Sequence, residues 1–259
     1  MEKAYVGVTG ITTREEVAGA ARAFKDHCFN LEYSEHVPMM GFLVSYKTLE
    51  YGHNPGRQRY PALADLPELL EAAKGKAFNT IHYNTRNAEG FSAEISKVME
   101  CDKIYERELV GGVQFNIAWP KPSELAKIRH RYPELKQIIQ LSERATAGMT
   151  ASEIARTVAG KYAEPDYILI DPSGGKGVNF DVRYVAEVFR ELSAETKARV
   201  GIAGGLSGDN AAERLSLLYD ALRTESFSVD AEGRLRTEGD ALDMDRVDDY
   251  LRGASMVLR

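Results

Sequence analysis

Asp171, Asp230 and His82 each lie in or at the end of a short apolar run, and each can take or give a proton. Two carboxyl groups brought together can divide general acid and base work, and an imidazole titrates near neutral pH. Each also has a plainer reading. Asp171 opens Asp-Pro-Ser-Gly, good turn chemistry, and Asp230 opens Asp230-Ala231-Glu232-Gly233. A single histidine on a strand commonly serves structure alone.

Two glycine-rich turns follow apolar runs in the last third of the chain. One is Asp171-Pro172-Ser173-Gly174-Gly175-Lys176-Gly177; the other is Ala203-Gly204-Gly205-Leu206-Ser207-Gly208-Asp209-Asn210. A strand, a glycine-rich turn and a helix together present backbone N–H groups to an anion. Ser173, Gly174, Gly175, Gly204 and Gly205 are therefore expected around a phosphate, with a helix starting near Asp209 aimed at it.

Placing these groups needs a scaffold. Short apolar runs recur at about 4–9, 40–46, 77–84, 111–117, 136–142, 166–171, 199–204 and 226–230. Helical periodicity fills the intervals. Val17, Ala20, Ala21 and Phe24 form one stripe behind a Thr13/Glu16 capping box. Thr150/Glu153 is a second such box. Asp181 is a good N-cap type before the apolar face Val182, Val185, Val188, Phe189 and Leu192, and Met244, Val247 and Leu251 make a last stripe. Eight strands alternating with helices predict an α/β fold, a closed (β/α)8 TIM barrel of parallel strands over residues 1–259 as one domain. An open doubly wound sheet is the alternative.

In a barrel, alternate residues face the helices and the interior. Setting the apolar positions outward leaves Thr9, Lys47, His82, Asn84, Asn116, Gln140, Asp171 and Asp230 facing in near the strand ends, together with Gln114. Unpartnered buried polar groups are costly, so this convergence marks a ligand site at the carboxyl ends of the strands. Lys47 would steer an anion or form a Schiff base, or simply be solvated. His82, Asp171, Asp230 and Glu143 could in principle bind a divalent metal, but their spacing is scattered and no metal is expected.

The stretch Lys47–Leu66 is rich in Gly, Pro and Arg and too long for an ordinary connection. It reads as a loop that covers the ligand or as a plain surface excursion. Arg57 and Arg59 would bring positive charge over the site.

The 259 residues are 44% hydrophobic and 28% charged, with a net charge of −6. No basic cluster suggests a nucleic-acid partner. No run is long enough to span a membrane, and the opening Met1–Val8 does not read as a signal peptide. The two cysteines, Cys28 and Cys101, make neither a disulfide framework nor a zinc pattern, which suits a reducing cytoplasm.

Several segments resemble the phosphoribosylanthranilate isomerase family of (β/α)8 barrels. They are Val8-Thr9-Gly10-Ile11-Thr12 with Arg14-Glu15-Glu16-Val17, Gly41-Phe42-Leu43-Val44, and Val113-Gln114-Phe115-Asn116. Further along come Ile170-Asp171 with Gly174-Gly175-Lys176-Gly177 and Phe180-Asp181, Ala203-Gly204-Gly205-Leu206 with Asn210, and Ser228-Val229-Asp230. The resemblance implies a phosphate at the strand 7 turn and a general acid at Asp171. It also exposes departures. Thr9 stands where the family has its cysteine base, Glu50 where it has a substrate-binding arginine, and Ala231-Glu232-Gly233 where it has a phosphate-holding turn. The expected activity is an isomerase or lyase acting on a small phosphorylated, sugar-like metabolite, without efficient phosphoribosylanthranilate isomerase activity. The alternative is a ligand-binding or accessory barrel without turnover. No cofactor is expected, the partner is a small phosphorylated molecule, and a homodimer is left open.

Overall fold

The structure, a computed structural model, describes residues 2–173, 179–224 and 226–258. Eight parallel strands pair in chain order and close on themselves. They are β1 (Ala4–Thr9), β2 (His36–Ser45), β3 (Phe78–Asn84), β4 (Gly112–Asn116), β5 (Lys136–Ser142), β6 (Tyr167–Asp171), β7 (Arg199–Ala203) and β8 (Ser228–Ala231). Ten α-helices are described: α1 (Arg14–Asp26), α2 (Tyr46–Tyr51), α3 (Leu66–Ala73), α4 (Phe91–Glu100), α5 (Pro122–Arg131), α6 (Glu143–Thr146), α7 (Ala151–Lys161), α8 (Val182–Glu195), α9 (Ala211–Leu222) and α10 (Met244–Ser255). The closed (β/α)8 barrel is the fold expected from the alternation; the open sheet is not formed.

The alternation along the strands sorts side chains into two cores. Val6, Val8, Phe42, Val44, Ile81, Val113, Ile139, Ile168, Ile170, Ile202 and Val229 join the apolar layer between barrel and helices. Burying one such side chain contributes about 1.5–3 kcal/mol, which is why these positions dictate the phase. The barrel interior holds a separate apolar floor of Tyr5, Val37, Met39, Ile138, Tyr167, Leu169 and Ala203. Three rings plug its amino-terminal end: Tyr5 and Tyr167 have centroids 5.4 Å apart, and Phe78 lies 6.0 Å from Tyr167.

Local signals set the helix starts. Thr13 Oγ1 accepts from Glu16 N while Glu16 Oε2 accepts from Thr13 N, completing the capping box of α1. The Thr150/Glu153 box of α7 forms likewise, and Asp181 caps α8. Two boundaries differ from expectation. Strand β2 begins at His36, four residues early, because its first half contains Pro38, a residue that weakens a strand pattern. The segment from 47 is not all loop: Ser45 and Thr48 form a capping box for α2, which stops at Gly52 with φ 77°. The irregular stretch is residues 52–65.

Candidate active site at the carboxyl ends of the strands

The strands end in a narrow cleft of about 70 Å³. It is lined by His82 and Asn84 from β3, Gln114 and Asn116 from β4, Gln140 from β5, Leu169 and Asp171 from β6, and Asp230 from β8. Ser173, the Ala203–Leu206 turn, Ala231–Arg234, Leu43 and Tyr60 complete the wall.

Three donors converge on the Asp171 carboxylate. Gln140 Nε2 donates to Oδ2 at 2.7 Å, and Ser173 donates to Oδ1 through its N–H at 3.1 Å and its hydroxyl at 2.7 Å. Gln114 Nε2 in turn donates to Gln140 Oε1 at 3.4 Å. Asp171 is thus held in one orientation by β5 and by the turn that follows β6.

Asp230 is in a different setting. It is buried, and the Thr9 hydroxyl donates to its Oδ1 at 2.8 Å. Burial pushes its pKa up to about 8; the Thr9 hydrogen bond opposes the rise, and the negative charges of Glu232 and Asp171 add to it. Asp230 therefore holds its proton near neutral pH. Thr9 is fully buried behind the cleft wall, so it braces Asp230 from behind.

His82 is buried, and burial lowers its pKa to about 3, leaving the ring neutral. Its Nε2 lies 3.0 Å from Thr80 Oγ1. A Cβ at Gly41 would come within 2.3 Å of Thr9 Oγ1 and 2.8 Å of His82 Nε2. Glycine at this point of β2 lets both side chains close over it.

The β7–β8 end carries both signs, with Arg234 and Glu232 in its wall. Gly204 and Gly205 adopt φ of 120° and 65°, values that favour glycine. Asn210 braces the turn: its Oδ1 accepts from Ser207 N at 2.9 Å and its Nδ2 donates to Gly205 O at 2.8 Å. Helix α9 starts at Ala211, two residues later than expected. Arg234 reaches the same turn and donates to Gly205 O at 3.3 Å and to Asn179 Oδ1 at 3.1 Å.

Residues 52–65 form a strap that reaches the cleft wall through Tyr60 and is tied to the β8 end by Arg59. Arg59 Nη1 lies 2.7 Å from Glu232 Oε1, and Arg59 Nε donates to Asp240 Oδ1 at 2.8 Å. Beneath it, buried Arg236 donates through Nη2 to Gly10 O at 2.8 Å and through Nη1 to Asp240 O at 2.6 Å. Its Nε is 3.9 Å from Glu232 Oε1.

Several sequence expectations shift accordingly. Arg57 is exposed and away from the cleft lining. Arg59 is close by, but its charge is already met by two carboxylates. Lys47 sits on α2 and does not line the cleft, because the helix turns it out of the inward register of β2. Gly174 and Gly175 lie outside the described residues. Among the described residues, no three His, Cys, Asp or Glu side chains cluster as metal ligands, so His82, Asp171, Asp230 and Glu143 form no such group. Tyr60 was not anticipated, because nothing local marks it. Gln114 was expected to face inward but was not given a site role.

No protein-family model matches the chain, and no curated protein matches it by sequence. Solved structures do match in fold. Phosphoribosyl anthranilate isomerase from Thermus thermophilus is 15% identical with a TM-score of 0.67, the match covering 97% of this chain and 98% of that one. A phosphoribosyl anthranilate isomerase in complex with reduced 1-(o-carboxyphenylamino)-1-deoxyribulose 5-phosphate is 15% identical with a TM-score of 0.64, covering 98% and 99%. Tryptophan synthase subunit alpha from Campylobacter jejuni is 13% identical with a TM-score of 0.60, covering 97% and 95%. At such identities the likeness establishes the barrel architecture that this chain shares with phosphoribosylanthranilate isomerases and tryptophan synthase alpha subunits.

Proposed function

We propose that this chain is an isomerase or lyase acting on a small phosphorylated, sugar-like metabolite. The observation that carries this reading is the contrast between two carboxyl groups in one cleft. Asp171 is an oriented hydrogen-bond acceptor, while Asp230 is buried and protonated near neutrality. Such a separation suits a base and an acid working on one substrate. In an aldose–ketose interconversion, Asp171 would take the proton from the carbon beside the carbonyl. The Asp230 carboxyl would give its proton to the carbonyl oxygen, leaving a neutral enediol. The phosphate would rest against Gly204, Gly205 and Arg234, where the turn and the guanidinium face the same space. One structural neighbour carries a 5-phosphate ligand, which supports that placement by analogy alone.

Among the described residues, Thr9 has no activating partner that would make it a base, since its hydroxyl donates to Asp230. With Glu50 also in place of an arginine, efficient phosphoribosylanthranilate isomerase activity is not expected. The test is to incubate aldose and ketose phosphates with the protein in D2O and follow deuterium incorporation by NMR. The reading expects exchange at the carbon beside the carbonyl and its loss in Asp171→Asn. Absence of exchange, isomerisation and cleavage across the series would contradict it.

A second reading, a binding barrel without turnover, is favoured by one observation. The cleft is far smaller than an ordinary ligand pocket, about 300–1,000 Å³, and Arg59, next to the cleft-lining Tyr60, is tied to Glu232 and Asp240. In the enzyme reading the strap must swing aside for substrate. Ligand binding without exchange would favour this second reading.

A further inference from the structure

The row Gln114–Gln140–Asp171 has a direction. A carboxylate only accepts, so Gln140 must turn its Nε2 toward Asp171. That leaves Gln140 Oε1 facing back along the row, where it accepts from Gln114 Nε2. Gln114 Oε1 is therefore left at the end of the row as an acceptor. It meets no hydrogen-bond partner among the described residues, although Gln114 is only 4% exposed and lines the cleft. An unmet buried acceptor costs free energy until a donor arrives. Strand β4 stands opposite β8 in the eight-membered ring, so this acceptor lies across the mouth from Arg234.

The charges around it point the same way. The β3–β5 side of the cleft presents Asn84, Gln114, Asn116, Gln140 and a neutral His82. Arg234 is the one cation among the described lining residues, and it stands at the β7–β8 end. Asp171 adds negative charge between the two ends, and Glu232, which lines the β8 end beside Arg234, is paired with Arg59.

We infer that the ligand is a phosphate monoester with an uncharged, hydroxyl-bearing far end, whose O–H donates to Gln114 Oε1, and that a carboxylate at that end is rejected. This rests on the proposed phosphate at the β7–β8 turn, and it adds the chemistry of the other end.

The test is isothermal titration of the whole chain with three probes: sorbitol 6-phosphate, 6-phosphogluconate and inorganic phosphate. Sorbitol 6-phosphate is expected to bind at least tenfold more tightly than 6-phosphogluconate. In Gln114→Leu, checked for an unchanged fold by circular dichroism, sorbitol 6-phosphate should weaken about tenfold while inorganic phosphate is unaffected. Asp171→Asn gives a second arm that leaves Gln114 in place. An asparagine can donate to Gln140 Oε1, which reverses the row and turns the Gln114 amide N–H toward the cleft. The preference for the polyol should then vanish or invert. Equal or tighter binding of 6-phosphogluconate by the wild type overturns the inference and spares the phosphate site. An unchanged preference in Asp171→Asn also overturns it. Failure of all three probes to bind removes the phosphate site and the inference together.

Discussion

The floor and the rim of the barrel interior come from the same strands, two residues apart, yet they are built from opposite chemistry. On β6, Tyr167 belongs to the apolar floor, Leu169 forms its upper layer at the base of the cleft, and Asp171 stands at the rim. On β3, Phe78 packs on Tyr167 below while His82 and Asn84 line the cleft above. The floor is sealed by apolar burial and ring packing. The rim spends buried polar groups on fixed hydrogen bonds, an unmet acceptor and a proton held against its usual tendency. The difference teaches that stability and chemistry are divided by height within one set of strands, so neighbouring inward positions should respond to mutation in different ways.

The sharpest test of that division uses one strand. Leu169→Ala should lower stability by about 2–5 kcal/mol, the usual cost of emptying a buried leucine site, as read from a denaturant titration. Asp171→Asn should leave stability within about 1 kcal/mol, because the amide row can reverse and give Gln114 Oε1 its missing donor. The same variant should lose about 10²- to 10⁴-fold of any turnover. A rim variant that unfolds the protein while the floor variant does not would break the comparison.

The rim should also govern the pH dependence of stability. Asp230 has a raised folded pKa, about 8 against 3.8, so the folded state holds the extra proton and stability falls as pH rises through that window. His82 has a lowered folded pKa, about 3 against 6.5, so its contribution rises with pH up to 6.5. The two slopes offset each other between about pH 4 and 6.5, and above that Asp230 acts alone. Each slope is at most about 1.4 kcal/mol per pH unit. Stability measured from pH 6.5 to 8 should fall in the wild type and stay level in Asp230→Asn. In His82→Gln, the decline should begin near pH 4.

A smaller effect is expected at the strap. Arg59→Gln removes the cation that Glu232 and Asp240 share, leaving Arg236 at 3.9 Å from Glu232, and should cost about 1–2 kcal/mol, between the values for surface and buried pairs. It should also speed ligand entry, read by stopped-flow binding. Arg57→Gln, two residues away and exposed, should change stability by less than about 0.5 kcal/mol. Equal responses of the two arginines would remove the strap from the account.

The inward and outward phase of the strands was legible in the sequence because it follows from period-2 burial: Val6 and Val8 outward forces Tyr5 and Thr9 inward, whereas the floor residues Val37 and Met39 fall in the part of β2 that the sequence reading left out. The inward carboxamides and carboxylates of β3 to β6 came with the same argument. What escaped it was long-range. Arg59 meets Glu232 across 173 residues of sequence, and no local pattern announces that pair. Buried Arg236 owes its place to carbonyls at the end of β1, which are invisible as sequence. Six-residue α2 is too short for helical periodicity to register, so Lys47 read as a continuation of β2. Even Gln114 was legible only as inward-facing. Its unmet oxygen follows from a hydrogen-bond direction set two strands away, at Asp171.

The most direct test of the central claim is a crystal structure of Asp171→Asn soaked with a ketose phosphate. The account predicts the phosphate between Arg234 and the Gly204–Gly205 turn. It predicts the carbonyl carbon and its neighbour beside residue 171, with the carbonyl oxygen within hydrogen-bond reach of the Asp230 carboxyl group. A phosphate bound elsewhere, or a sugar whose reacting carbons lie out of reach of both positions, would contradict it.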